Sequence, residues 1–144
     1  MQDLKVDRLL DLTRTIAAPV FEGCSFPWEV LPKIKVFVVS LGVTLNPDEY
    51  DNPLPNVWIA RTAKVAPTAS IAGPLIVCQG AEIRHSAYIR GSVIVGCGAV
   101  VGNSCELKNC ILFDEVKVPH FSYVGDSILG WGAHLGAGAI TSNV

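Results

Sequence analysis

Stepping six residues at a time from Ile59, the chain places an aliphatic residue at Ile59, Val65, Ile71, Val77, Ile83, Ile89, Val95, Val101 and Leu107. Four residues after each stand Ala63, Ala69, Leu75, Ala81, Ala87, Val93, Ala99, Cys105 and Ile111, most of them small. A helix repeats about every 3.6 residues and a strand every two, so neither produces this period. A parallel β-helix does: each hexad is a short strand and a turn, and three close a triangular coil of about eighteen residues. The aliphatics then point inward and stack on their equivalents at roughly 4.8 Å. A narrow prism leaves room for only a small second inward residue. Burial of these nine at about 1.5–3 kcal/mol each is the main stabilising term.

After Leu107 the inward series continues as Leu112, Val118, Val124, Leu129, Leu135 and Thr141. The steps from 107 to 112 and from 124 to 129 are one residue short, so two corners are re-aimed. VPHFSYVGD at 118–126 falls between them. Residues 1–56 differ. DLKVDRLLDLTRTI predicts an amphipathic helix with Leu4, Leu9, Leu12 and Ile16 on one face. FPWEVLPKIKVFVVSLG predicts a second helix, starting near Pro27 or Pro32 and stopping near Gly42. NPDEYDNPLPN at 46–56 reads as a loop. The expected organisation is mainly β: a helical N-terminal segment with a Pro-rich loop over 1–56 and a β-helix over 57–144.

The chain has 144 residues, 50% of them hydrophobic, enough for one domain with a real core. A net charge of −2 without a basic run argues against nucleic-acid binding. Five Cys without a Cys-x-x-Cys pair read as free thiols in a reducing compartment, with Cys78, Cys97 and Cys105 as core filler. MQDLKVDRLLDLTRTIAAP does not read as a signal peptide. The apolar stretch VFVVSLGV at 36–43 is too short to span a bilayer. A soluble cytoplasmic protein is the expectation, and no metal is called for.

The residue after each inward aliphatic is Ala, Cys or Gly at 60, 66, 72, 78, 96 and 102, but a cation at Arg84, Arg90 and Lys108. Arg90 and Lys108 are one coil apart on one face. Stacked cations repel unless an anion lies with them, which points to a phosphate or carboxylate clamp. The alternative is solvated surface with counter-charges, Glu106 among them.

GNSCELKN at 102–109, HFSYVGDSILG at 120–130 and LGAGAITSN at 135–143 carry a resemblance to a known family. From Arg90 to Asn143 the sequence resembles the acetyltransferase half of the bifunctional glucosamine-1-phosphate acetyltransferase/N-acetylglucosamine-1-phosphate uridyltransferase family. The resemblance implies a left-handed parallel β-helix, a homotrimer with sites between subunits, and acetyl-CoA as donor to the amine of an amino-sugar 1-phosphate. It implies His120 as catalytic base, Glu106 as the acid that orients it, and Asn143 near the reacting amine. Arg90 and Lys108 hold the sugar phosphate, and Tyr123 and His134 lie at the sugar. Ala137 and Gly138 meet the cofactor. A His base suits the chemistry, because an ammonium must lose its proton before it attacks an acyl group near neutral pH.

The sequence departs from the family in two ways. His134 stands where the family has Asn. The family continues past the position of Val144 with coils that carry most acetyl-CoA contacts, so this chain is expected to fold but to be catalytically poor. No counterpart of the uridyltransferase half is read in these residues. Two other readings remain: a non-catalytic trimeric scaffold or regulatory domain related to sugar-nucleotide pyrophosphorylases, and a γ-type carbonic anhydrase with zinc on three His. Against the latter, position 125, where a third His is wanted, is Gly.

Overall fold

The computed structural model describes residues 1–142; Asn143 lies outside the described residues. The single N-terminal helix expected from the sequence is replaced by three short pieces. Gln2–Leu4 and Leu12–Arg14 are 3-10 turns on either side of α1, Val6–Leu9. Leu10 is extended, at φ −123° and ψ 140°, and the Asp11 side chain accepts from the Thr13 N–H at 3.0 Å. Asp and Thr thus offer the backbone a local alternative to the helical ladder, which outweighs the apolar spacing. The second helix stops where expected. Pro27–Lys33 is a 3-10 run leading into α2, Ile34–Gly42, and Glu29 accepts from the Phe26 N–H at 2.6 Å at its start.

The segment read as a loop contains a strand. β1 (Tyr50–Leu54) pairs antiparallel with β2 (Val57–Ala60) around Asn56, whose φ is +59°. The strand lies at the sheet's edge, where Pro53 need not donate a ladder hydrogen bond.

From β2 onward the chain winds as a parallel β-helix with three columns of strands. The first runs through β2, β5 (Leu75–Val77) and β8 (Val93–Val95), then the ends of β10 (Glu106–Leu112) and β12 (Tyr123–Leu129). The second runs through β3 (Lys64–Val65), β6 (Glu82–Ile83), β9 (Val100–Asn103) and β11 (Lys117–His120). The third runs through β4 (Ser70–Ile71) and β7 (Tyr88–Ile89), then the beginnings of β10 and β12. The sixfold positions stack as the sequence predicts: Ile71 beside Ile89 beside Leu107 beside Val124. Ile83, Ile89, Val95, Val101, Leu107, Leu112, Val118 and Val124 are all buried.

The register also shows the two short steps. Ile89 and Leu107 are eighteen residues apart, whereas Leu107 and Val124 are seventeen apart. Each lost residue comes from the corner between the third and first columns, so β10 and β12 run straight through two columns. Their bends fall at Asn109 and Asp126, with φ of +48° and +46°, values that Asn and Asp tolerate better than most residues. The shortening also re-phases the small positions: Cys110, not Ile111, pairs with Val93, and Ile111 pairs with Ile94.

The first column is apolar on both faces. Between its inward residues lie Trp58, Ile76, Ile94 and Ile111, which point outward yet are buried. Helix α2 packs on β5, β8 and β10, and the Pro27–Lys33 run packs on β12. Gly42 closes this contact, since a Cβ there would overlap the Trp58 ring. The N-terminal segment is therefore the cover of one wall of the prism.

Candidate functional site

The residues singled out by sequence lie on the third column and the corner leading into it. Arg90 and Lys108 follow the paired residues Ile89 and Leu107, and Lys108 in turn stands beside Gly125. Their stacking one coil apart is as the spacing predicts. Each cation carries a carboxylate. Arg90 Nη1 donates to Glu106 Oε2 at 2.9 Å, and Lys108 Nζ lies 3.5 Å from Asp126 Oδ2. Glu106 holds the guanidinium firmly protonated, pushing its pKa above the ordinary arginine value. Asp126 also accepts from Asn109 Nδ2 at 2.8 Å, and the same amide reaches the Leu31 carbonyl at 3.2 Å. The cation-bearing corner is thereby tied to the N-terminal cover.

His120 is exposed at the end of β11, one corner before Tyr123. Glu106 does not orient it in this structure: that carboxylate is bonded to Arg90. The partner of His120 is Asn103, directly beside it in the neighbouring coil, with Nδ1 to Oδ1 at 3.3 Å. An amide oxygen accepts, so with the Asn103 amide in this orientation the contact is made by the tautomer that carries its hydrogen on Nδ1. The sequence contains the signal for Asn103, which stands one shortened coil before His120. Corner residues His120 and Asn103 each precede a residue of positive φ, Phe121 at +50° and Ser104 at +58°. Ser122, just beyond, is buried and donates its hydroxyl to the His120 carbonyl at 3.0 Å, which fixes the corner.

Tyr123 is half-buried between Glu106 and Ile140 in register. Its hydroxyl occupies the space a Gly125 Cβ would need, so the Tyr-x-Gly spacing lets the ring lie back over the strand. His134 is exposed and bridges to Lys117 in the second column, away from the cations. Ala137 and Gly138 lie on an exposed turn above His120, with the Gly138 N–H donating to the His120 carbonyl at 3.1 Å. A Cβ on Gly138 would meet nothing, so the backbone there is open to approach. His85 is a surface residue held by Thr68 Oγ1 at 2.7 Å. Among the described residues no group of three or more His, Cys, Asp or Glu is placed to hold a metal ion, and no helix is long and apolar enough to cross a membrane.

Residues 71–144 match the family described as the GMPPB C-terminal domain, slightly more than half of the chain. The chain belongs to the GMPPB C-terminal domain family. It is also similar to part of the bifunctional protein GlmU: 52% identical over 44 residues in Methanococcus maripaludis and 54% over 43 in Chelativorans sp.. Those segments cover 31% and 30% of this chain. The chain spans only about a tenth of these relatives' length, 11% and 10% respectively. The acetyltransferase domain of PglB from Neisseria gonorrhoeae aligns in structure with a TM-score of 0.48 and 21% identity, over 58% of this chain and 50% of that one.

Proposed function

We propose that the β-helix is a CoA-dependent acyltransferase module that passes acetyl from acetyl-CoA to the amine of an amino-sugar 1-phosphate. The observation that carries this reading is an exposed imidazole whose Nδ1 meets Asn103, one corner from two stacked cations. His120 Nε2 takes the amine proton as nitrogen attacks the thioester carbonyl, and the leaving CoA sulfur departs as the C–S bond breaks. Asn103 takes the orienting role first assigned to Glu106.

Arg90 and Lys108 bind the sugar phosphate by exchanging one anion for another. The phosphate displaces Glu106 from Arg90 and Asp126 from Lys108, and a guanidinium takes phosphate in two parallel hydrogen bonds. Tyr123 lies along the sugar; by resemblance Asn143 belongs to the same acceptor region, whereas His134, bridged to Lys117 in the second column, stands apart from it. Ala137 and Gly138 offer bare backbone to the pantetheine arm. The complete site is formed between three copies of the chain, since a closed cyclic assembly would cover the exposed Tyr88 and Phe121 beside it.

The ion pairs favour one other reading. With both cations already neutralised, the coil stack serves equally as a non-catalytic scaffold. Acetylation of glucosamine 1-phosphate, measured on a form of the protein extended by the further coils that the resemblance implies for acetyl-CoA, decides between the two. His120→Ala is expected to lower the rate about 10²–10⁴-fold; an effect below tenfold, or no acetylation by the parent protein, supports the scaffold.

A further inference from the structure

The sequence predicts Cys78 and Cys97 as core filler, and of the two only Cys78 is enclosed by the core. Cys78 is fully buried, whereas Cys97 is partly exposed at the edge of the same core. They sit at the same corner of successive coils. The Cys78 N–H donates to the Val95 carbonyl at 2.9 Å and the Gly98 N–H to the Gln79 carbonyl at 3.0 Å. This register sets Cys78 opposite Gly96 and one position away from Cys97. A coil spacing of roughly 4.8 Å with a one-residue offset of roughly 3.3 Å gives a Cα separation of about 6 Å, inside the range a disulfide spans. The two thiols are near enough to act on each other's titration, Cys97 being lowered and Cys78 raised by the other. Both thiols are free.

We propose that Cys78 and Cys97 form a peroxide-responsive dithiol, a modification site at which one disulfide ties two neighbouring coils. Cys97 is the attacking sulfur, because it is the accessible one. Its thiolate attacks one oxygen of hydrogen peroxide; the O–O bond breaks, hydroxide leaves and Cys97 becomes a sulfenic acid. The Cys78 sulfur then attacks the sulfenic sulfur, the S–O bond breaks, and the departing hydroxide takes the Cys78 proton as water. Two thiols are oxidised by two electrons, and one peroxide is reduced to two waters.

The environment suits these roles. Accepting from Cys78 brings the Cys97 pKa down to about 7, and Cys78, whose proton is shared with Cys97 and which is buried, titrates well above an ordinary thiol. Of the other thiols, Cys105 and Cys110 are buried. Cys24 is partly exposed and lies 3.6 Å from Lys33 Nζ, far along the chain from this corner. A bulkier oxidation product on Cys97 is disfavoured, since Cys78 is in place to resolve the sulfenic acid first.

The test is brief treatment of the full chain with equimolar hydrogen peroxide, alkylation, and non-reducing peptide mapping. The expected result is a mass loss of two hydrogens with a single linkage joining the Cys78 and Cys97 peptides, reversed by dithiothreitol. Cys97→Ser should remove it and leave Cys78 as a free thiol after peroxide. Sulfinic acid on Cys97 with Cys78 still alkylated would overturn the proposal. So would oxidation confined to Cys24. Because the parent protein alone gives these outcomes, a poorly folding variant does not obscure them.

Discussion

Ile94 points away from the prism, and in a bare β-helix its replacement would scarcely register. Here it is fully buried beneath α2, in the column with Ile76 and Ile111. Ile94→Ala removes three carbon groups, worth about 2.4 kcal/mol at about 0.8 kcal/mol each. A cavity between a helix and a sheet wall closes only in part, which adds about 1 kcal/mol. The sum, about 3–4 kcal/mol, corresponds to a melting temperature lower by about 10 °C for a domain of this size. Urea unfolding followed by circular dichroism measures it, with Val36→Ala as the control: Val36 is on α2 itself but is 71% exposed. A loss below about 0.5 kcal/mol for Ile94→Ala, no larger than a surface change, would refute the docking of the N-terminal segment on this wall.

Gly102→Ala should prevent stable folding, because the added Cβ falls on the Pro119 backbone of the next coil and neither strand can yield without breaking register; a soluble variant with an unchanged melting temperature would contradict this. Alkylation of Cys97 by iodoacetamide should rise with pH through a midpoint near 7, since hydrogen bonding from Cys78 favours its thiolate, while Cys110, pushed by burial up to about 12, stays unmodified at pH 8. A Cys97 midpoint at the ordinary thiol value of about 8.5 would remove the Cys78 contact from the account.

The coil stack was legible because a six-residue period has few physical explanations, and each short step showed as one missing residue. The strands' second apolar face was also present in the sequence, as the three-residue runs Val57–Ile59, Leu75–Val77 and Val93–Val95. Counting in sixes samples only alternate residues and passes over Ile76 and Ile94. Continuous apolar strands are the mark of a sheet covered on both sides, and that mark locates the N-terminal cover. The break after Leu9 was harder to see, because it follows from local hydrogen bonds of Asp11 that the apolar pattern outvotes.

For the site, periodicity placed Arg90 above Lys108 and His120 at a corner, since these depend on backbone register alone. It did not place side-chain directions. Glu106 has Arg90 diagonally across from it on the adjoining coil, and the guanidinium takes its carboxylate. Asn103 was overlooked because Asn is an ordinary corner residue, and its meaning appears only when the seventeen-residue coil sets it against His120.

The most direct measurement is a crystal structure of the protein with glucosamine 1-phosphate bound. The expected result is phosphate oxygens within hydrogen-bond distance of both Arg90 and Lys108, Glu106 released from Arg90, and the sugar amine facing His120 Nε2. Persistence of the Arg90–Glu106 and Lys108–Asp126 pairs, with the ligand elsewhere or absent at saturating concentration, would contradict it.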